Sequence, residues 1–545
     1  MARRRLPIGI QTFREIREEG CYYVDKTAYA RRLAGDAGKH YFLSRPRRFG
    51  KSLFVDTLKE LYEGAEGLFR GLDVHDAWDW SRRHPVVRLS FGGGNFKRPE
   101  ELRASVLRQI DAAERRAAPG PFARLLDAVR GRTPAPSRDG PAPGRLAALL
   151  ETLHRRSGRR VVVLVDEYDK PILDALDDPE QARTNRDDLR GLYGTLKDCD
   201  AHVELSFITG VSRFSKVSLF SGLNNLVDLT LDPDYSAICG CTDADLDRVF
   251  APELPGLDRD EIRAWYDGYG WLGEEQVYNP FGLLKLFRSR RFEAHWFETG
   301  TPTFLVDTLI GRDVAASDLD DVQASEALLS AFDVDVIAPE ALLFQTGYLT
   351  IRGAERRGGR TVYRLGYPNR EVRQGLSESL LDRLAPDPRR ERHAARLYDV
   401  LAAGDAAGVE APLRALLAGI PHDWHRRNEI ARYEGYWASV FYAHFAALGL
   451  DVAAEDATSR GRLDLAVRLR AHVYLFEFKV AEPPGRAQPA GAGGHPPQKT
   501  GAALAQLKAR GYADKYRAAG RAVHLTGVEI GAESRDIVVF ETEPA

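Results

Sequence analysis

Cysteine is scarce in this chain: four in 545 residues, at Cys21, Cys199, Cys239 and Cys241. Four thiols at these spacings make neither a disulfide framework nor a paired Cys/His zinc pattern. Cys239-Gly240-Cys241 has no second Cys or His pair near it, so reduced thiols are the plainer reading. Long apolar runs are missing too. None approaches the roughly 20 residues that span a bilayer. The basic start, Met1 to Arg5, is not followed by the apolar stretch of a secretory signal. The C-terminal Glu543-Pro544-Ala545 carries no lipidation motif. A cytoplasmic protein with no membrane attachment is expected by elimination. An excess of one charge is also absent: the net charge is -2. No global basic field therefore favours nucleic acid, although a local patch can still do so.

What is present is a balanced globular composition, 44% hydrophobic and 29% charged. The length implies roughly two to four domains. Three stretches read as loops from their Pro, Gly and small residues: Arg132 to Gly144, Ala385 to Pro388, and Glu482 to Thr500. There is no internal repeat.

Between Tyr41 and Phe207, short apolar strands alternate with helix-like stretches. The strand candidates are Tyr41–Leu43, Val86–Leu89, Val161–Val165 and Val203–Ile208, with a helix over Ser52–Leu61 after the first. Continuously apolar strands alternating with helices predict a mainly parallel sheet covered on both faces. From Asp243 to about Ile420 the pattern is mostly helical. Beyond Glu429 an amphipathic helix near Tyr433–Leu448 is expected. Strands near Leu463–Val467 and Val473–Phe478, a helix near Ala502–Tyr516 and a strand near Ala522–Leu525 follow it.

The first strand runs into Arg47-Arg48-Phe49-Gly50-Lys51-Ser52 and then a helix. Phosphate binding needs converging backbone N–H groups with no Cβ in the way, a cation near the β/γ-phosphates and a hydroxyl for magnesium. Gly50, Lys51 and Ser52 supply these parts, and the helix N-terminus adds favourable partial charge. The first glycine of G-x-x-x-x-G-K-S is replaced by Arg45. A surface turn before a helix would also fit the tripeptide alone; its place between strand and helix favours the phosphate loop. Val161–Val165 ends in Asp166-Glu167. In a P-loop fold the first carboxylate is on the magnesium side and the second polarises the attacking water. The fourth strand leads into Thr209-Gly210-Val211-Ser212-Arg213. There Thr209 is a candidate γ-phosphate contact, and Arg213 could stabilise transferring charge in cis or across a subunit boundary.

Several strings resemble the AAA-ATPase-like family of bacterial and archaeal proteins. They are Tyr22-Tyr23-Val24-Asp25-Lys26-Thr27, Arg45-Pro46-Arg47-Arg48-Phe49-Gly50-Lys51-Ser52, Val165-Asp166-Glu167-Tyr168-Asp169-Lys170-Pro171 and Thr209-Gly210-Val211-Ser212-Arg213-Phe214. Trp265–Tyr269, Tyr278–Pro280 and Trp296–Pro302 look like further family stretches. In that family the Arg-rich loop is the usual P-loop form. The resemblance implies an AAA/ASCE-like core over 1–235 that binds ATP with Mg2+, followed by a helical lid and middle region over 236–425.

Near the C-terminus, Tyr474, Phe476 and Phe478 alternate with Glu477 and Lys479. A carboxylate and an ammonium at the end of an apolar strand suit a metal-dependent phosphodiester cleft. Asp464, on the preceding strand, could join Glu477 as a magnesium ligand. A solvated Glu–Lys pair is the bland alternative. The order resembles the PD-(D/E)xK nuclease superfamily over about 426–545, a restriction-endonuclease-like α/β domain. The resemblance implies roles for Asp464, Glu477 and Lys479, for Glu434 on the preceding helix and for Gln506 on the later one. The whole chain then reads as an ATP-hydrolysing protein controlling a magnesium-dependent nuclease-like domain that acts on nucleic acid, DNA rather than RNA. In the alternative it is a nucleotide-dependent switch or scaffold whose last domain binds a partner without cutting. An oligomer is compatible with both.

Overall fold

The run Val161–Val165 has no polar face, so its strand must be covered on both sides. The computed structural model describes residues 3–117, 140–214, 219–296, 303–312, 314–329, 332–333, 336–384, 386, 390–420, 434–458, 461–481, 501–517 and 520–545. In it this run is β3 (Val161–Asp166), buried along its whole length. With β1 (His40–Ser44), β2 (Val86–Ser90), β4 (Val203–Gly210) and β5 (Leu226–Asp228) it forms a wholly parallel sheet in the order β2-β3-β4-β1-β5. Helix Lys51–Tyr62 follows β1, Pro99–Ala117 and Ala142–Ser157 follow β2, and Pro179–Asp198 follows β3. Asp178 caps the last of these by accepting from Gln181 N–H.

All four expected strands are present, and β5 is too short to carry a periodic signal. The expected loop Arg132–Gly144 is partly corrected. Its last residues open helix Ala142–Ser157, because Pro143 near a helix start lacks only an N–H that would be unpaired anyway. Residues 132–139 lie outside the described residues, as do 482–500 and all but Pro386 of 385–388.

The middle stretch is not helical throughout. β6 (Val322–Ser325), β9 (Thr350–Arg357) and β10 (Arg360–Gly366) form an antiparallel sheet in the order β6-β10-β9, and β7 (Phe332–Asp333) pairs with β8 (Val336–Ile337). Arginine-rich β9 and β10 lack the apolar alternation by which a strand is recognised. The chain divides into two compact units: Met1–His295 with Val322–Asn369, and Trp296–Asp321 with Arg370–Ala545.

In the second unit β11 (Asp451–Thr458), β12 (Gly461–Leu469), β13 (His472–Ala481), β14 (Ala522–Gly531) and β15 (Ile537–Pro544) stand in sequence order. Only the β13–β14 pair is parallel. Helix Glu434–Ala447 covers one face, where Phe441 stacks on Phe478 at 5.0 Å and Phe445 meets Phe476 at 5.3 Å. Helix Ala502–Arg510 packs Leu504 and Leu507 against Leu475 and Leu525.

Two expectations are corrected here. The helix at Glu434 is not amphipathic: Val440 through Ala446 are all buried, including His444, whose pKa burial pushes down to about 4. A helix apolar all round belongs inside a core. The helix expected over Ala502–Tyr516 breaks at Gly511, which takes the left-handed conformation that ends Ala502–Arg510, and Asp514–Arg517 resumes after it.

Candidate functional sites

The loop between β1 and helix Lys51–Tyr62 is held by its own odd residues. Arg45 is fully buried. Its guanidinium donates to the carbonyls of Ser44, Thr230 and Tyr235 at 2.9–3.0 Å and lies 4.2 Å from the Trp271 ring centre. Burial lowers its pKa to about 10. Arg45 therefore braces the loop from inside, with its guanidinium committed to these carbonyls. Phe49 is likewise an anchor, its ring 4.7 Å from Tyr269 and 5.4 Å from Trp271. Arg48 donates to the His295 carbonyl at 2.7 Å, with its guanidinium 3.9 Å from the Phe281 ring centre. Arg47 is exposed.

Gly50 caps the helix at φ 94, where a side chain would be strained. Lys51 is buried, and its Nζ donates to the carbonyls of Arg45 at 2.9 Å and Pro46 at 2.8 Å. Burial lowers its pKa, against the pull of Asp169, Asp166 and Glu167. Ser52 follows it, half-buried in the first turn.

Asp166 ends β3 beside Thr209 of β4 and Ser90 of β2. It is buried, and its Oδ1 has no hydrogen-bond partner among the described residues. Its Oδ2 lies 3.5 Å from Arg88, which also pairs with Asp56 at 2.9 Å. Glu167 is in the left-handed region at φ 54, a conformation that costs a non-glycine residue energy. A Cβ on Gly92 would lie 3.2 Å from its Oε2, so the glycine makes room for this carboxylate. Burial first, and neighbouring Asp166 second, raise the Glu167 pKa.

The two residues after Glu167 were not expected to matter, yet they build the turn beyond β4. Asp169 is fully buried and accepts from Val211 N–H at 3.0 Å and Ser212 N–H at 2.5 Å. Burial raises its pKa, opposed first by the Ser212 N–H bond. Tyr168 donates to the Ser212 carbonyl at 2.9 Å. Gly210 is needed in this packing, since a Cβ there would lie 2.2 Å from Asp169 Oδ1.

Thr209 and Arg213 are placed less freely than the sequence suggests. The Thr209 hydroxyl donates to the Leu43 carbonyl at 2.7 Å and ties β4 to β1. Arg213 pairs with Asp228 at 2.7 Å in a largely buried ion pair, and its backbone N–H donates to Gln345 Oε1 at 3.0 Å. Neither side chain stands open toward a phosphate in this arrangement.

In the C-terminal domain, Leu465 pairs with Phe476, which places Asp464 next to Glu477. The ladder gives way there, and Asp464 Oδ2 accepts Phe478 N–H at 2.8 Å. Glu477 is 1% exposed. Lys479 Nζ lies 3.6 Å from Glu477 Oε1, and Gln506 donates to that same oxygen. Gly527 stands beside Glu477 on β14, and a Cβ there would lie 2.4 Å from Leu504 N. That close approach lets helix Ala502–Arg510 deliver Gln506. Asp464, Glu477, Lys479 and Gln506 are thus brought together. Glu434 opens its helix, but its side chain lies outside the described residues.

Glu529 and Tyr512 were not foreseen. Glu529 is buried opposite Lys479 and accepts Ala503 N–H at 3.4 Å at the start of the helix carrying Gln506. The Tyr512 phenol pKa is raised by burial and then by Glu477. Both residues are far from the E-x-K strand in sequence, and no local pattern marks them. No group of three or more His, Cys, Asp or Glu suited to a metal occurs among the described residues. No helix among them is long and apolar enough to cross a membrane.

The sequence matches the family AAA-ATPase_like, described as "Predicted AAA-ATPase", over residues 7–220. It matches the PD-(D/E)XK nuclease superfamily over residues 432–540. A protein of Azotobacter chroococcum mcd 1, described as "Uncharacterized protein in vnfD 5'region", is 56% identical over 545 residues, covering 100% of this chain and 99% of that one.

Proposed function

We infer from a chain that belongs to the AAA-ATPase-like family, and that ends in a PD-(D/E)XK nuclease superfamily domain, that it is a magnesium-dependent ATPase whose nucleotide state governs cleavage of nucleic acid. One observation carries the ATPase part. Buried Asp166 Oδ1 lacks a hydrogen-bond partner among the described residues, beside a Glu of raised pKa and on the same sheet as the loop bearing Lys51. An orphaned buried carboxylate oxygen is costly unless something binds it, so the donor set fits ATP with Mg2+. Lys51 exchanges the Arg45 and Pro46 carbonyls for phosphate oxygens, and Ser52 with Asp166 supplies the magnesium side. The bound ion would neutralise charge on the β/γ-phosphates. Glu167 accepts a proton from the attacking water, for which a raised pKa is an advantage. Arg213 contributes only if its pair with Asp228 opens.

At the C-terminal site Asp464 and Glu477 are hard oxygen donors, and two carboxylates suit Mg2+, which retains several waters. Lys479 and Gln506 meet one oxygen of Glu477, an arrangement that orients the carboxylate and places an ammonium where phosphate charge would develop. DNA is the expected substrate.

The test measures ATP turnover and cleavage of DNA and RNA, each with magnesium. Lys51→Ala is expected to lose turnover, and Glu167→Gln to lower it about 100-fold while nucleotide binding persists. Asp464→Ala is expected to abolish cutting. Identical cutting by Lys51→Ala and wild type, with or without ATP, would sink the coupling. If wild type cuts nothing, the last domain is a binding module and the protein a nucleotide-dependent switch.

A further inference from the structure

We propose that the β9–β10 hairpin is a second nucleic-acid contact, a two-stranded arm that grips the sugar–phosphate backbone of a duplex without reading its sequence. The hairpin does not depend on the C-terminal site being able to cut.

Its charge is one-sided. From Arg352 to Arg364 there are five arginines, Arg352, Arg356, Arg357, Arg360 and Arg364, against the single acid Glu355, in a chain whose net charge is -2. Residues 354–361 are all exposed. β9 is the edge strand of its sheet, and β6 pairs with β10 only over Val362–Leu365, so the end of the hairpin stands beyond its neighbour. β9 has eight residues, a length of roughly 26 Å at about 3.3 Å per residue. Arg357 pairs with Arg360 across Gly358-Gly359, and Gly358 has the positive φ of a tight hairpin turn. No described residue outside the turn lies within 4 Å of a Cβ built on either glycine, so the tip is bare backbone.

Alternation puts Arg356 on one face and Arg357 with Arg360 on the other. Arg357 is partly neutralised by Glu355. The side chains of Arg356 and Arg360 have no hydrogen bond or ion pair among the described residues.

Three physical arguments select the partner. An edge strand is often guarded by charge against pairing with another chain, but guarding does not call for arginines of one sign that continue onto β10 and frame the tip. Arginines at a protein interface usually stand beside aromatic or aliphatic anchors in a core depleted of charge, and residues 353–361 offer only Ala354. The same lack disfavours insertion into a lipid surface, where aromatic and aliphatic side chains carry the binding. Guanidinium forks match phosphate oxygens, and a two-stranded ribbon is narrow enough for the major groove of a duplex. With arginine on both faces, an arm in the groove meets the phosphates of both flanking strands.

The experiment uses the full-length chain in EDTA, so that nothing is cut, with a fluorescent duplex of roughly 30 base pairs followed by anisotropy across a salt series. Arg356→Glu with Arg360→Glu is expected to weaken binding at least tenfold and to flatten the slope of log K against log salt by about 2, close to 0.9 per lost phosphate contact. Arg356→Lys with Arg360→Lys should keep most of the affinity. If the charge reversal melts early, Arg356→Gln with Arg360→Gln must show the same loss of slope, or the proposal fails. Unchanged affinity and slope, or no duplex binding by wild type, overturns it. It is also overturned if wild type binds anionic phosphatidylserine vesicles or an acidic polypeptide more tightly than the duplex and the reversal removes that binding instead.

Discussion

At the Arg45–Ser52 loop and the turn beyond β4, charged side chains bond mostly to backbone: Lys51 to two loop carbonyls, Arg45 to the carbonyls of Ser44, Thr230 and Tyr235, Asp169 to two N–H groups. In the C-terminal domain, side chains meet side chains: Lys479 and Gln506 both reach Glu477. The first arrangement fixes the path of the chain and leaves one carboxylate oxygen of Asp166 unmatched among the described residues. The second fixes an orientation among functional groups drawn from three elements. A long, specific motif is therefore no guarantee that its residues are chemical. Much of the strings around Arg45, Phe49, Tyr168 and Asp169 is bracing, whereas the short and common E-x-K sits at a point of convergence.

The largest expected effect would break the bracing. Asp169→Ala leaves the N–H groups of Val211 and Ser212 buried without their acceptor, a loss of about 2–5 kcal/mol. Urea unfolding should show it, and nucleotide binding should fall with it. A stable protein that still binds ATP would mean that the turn beyond β4 holds itself.

Gly527→Ala strikes the other arrangement. Its Cβ meets Leu504 N at 2.4 Å, so helix Ala502–Arg510 must shift at about 1–3 kcal/mol. Gln506 then leaves Glu477, and cleavage should fall while ATP turnover is kept. Equal loss of both activities would show that the two sites do not respond separately.

The smallest effect sharpens the electrostatic side of the contrast. Asp267 is raised by burial to about 6, and its Oδ1 lacks a hydrogen-bond partner among the described residues. The ordinary value is about 3.9, so between about pH 4 and 6 the unfolded chain releases this proton while the folded chain keeps it. Folding stability therefore falls as pH rises through that window. Asp267→Asn should flatten the fall and add about 1–3 kcal/mol at pH 7, with no gain below pH 4. Equal urea midpoints for the two proteins at pH 7 would count against the shift.

The sequence by itself pointed to the parallel sheet, because short apolar strands, Val161–Val165 without any polar face, alternate with helical stretches. It also placed Lys51 at a helix start and Asp166 and Glu167 at a strand end, and it put Asp464 and Glu477 on polar faces of neighbouring strands by simple alternation. It did not disclose β9 and β10, whose arginines hide the strand period, nor the all-round burial of helix Glu434–Ala447. Tertiary structure alone decided that Arg45 points into the core and that Thr209 and Arg213 are already engaged. It alone brought Glu529 to the start of the Gln506 helix, and it alone made the Gly527 position too tight for a side chain. The physical reason is range. Periodicity and strand ends are set by neighbours along the chain, whereas which partner satisfies a buried charge is settled only when distant segments pack.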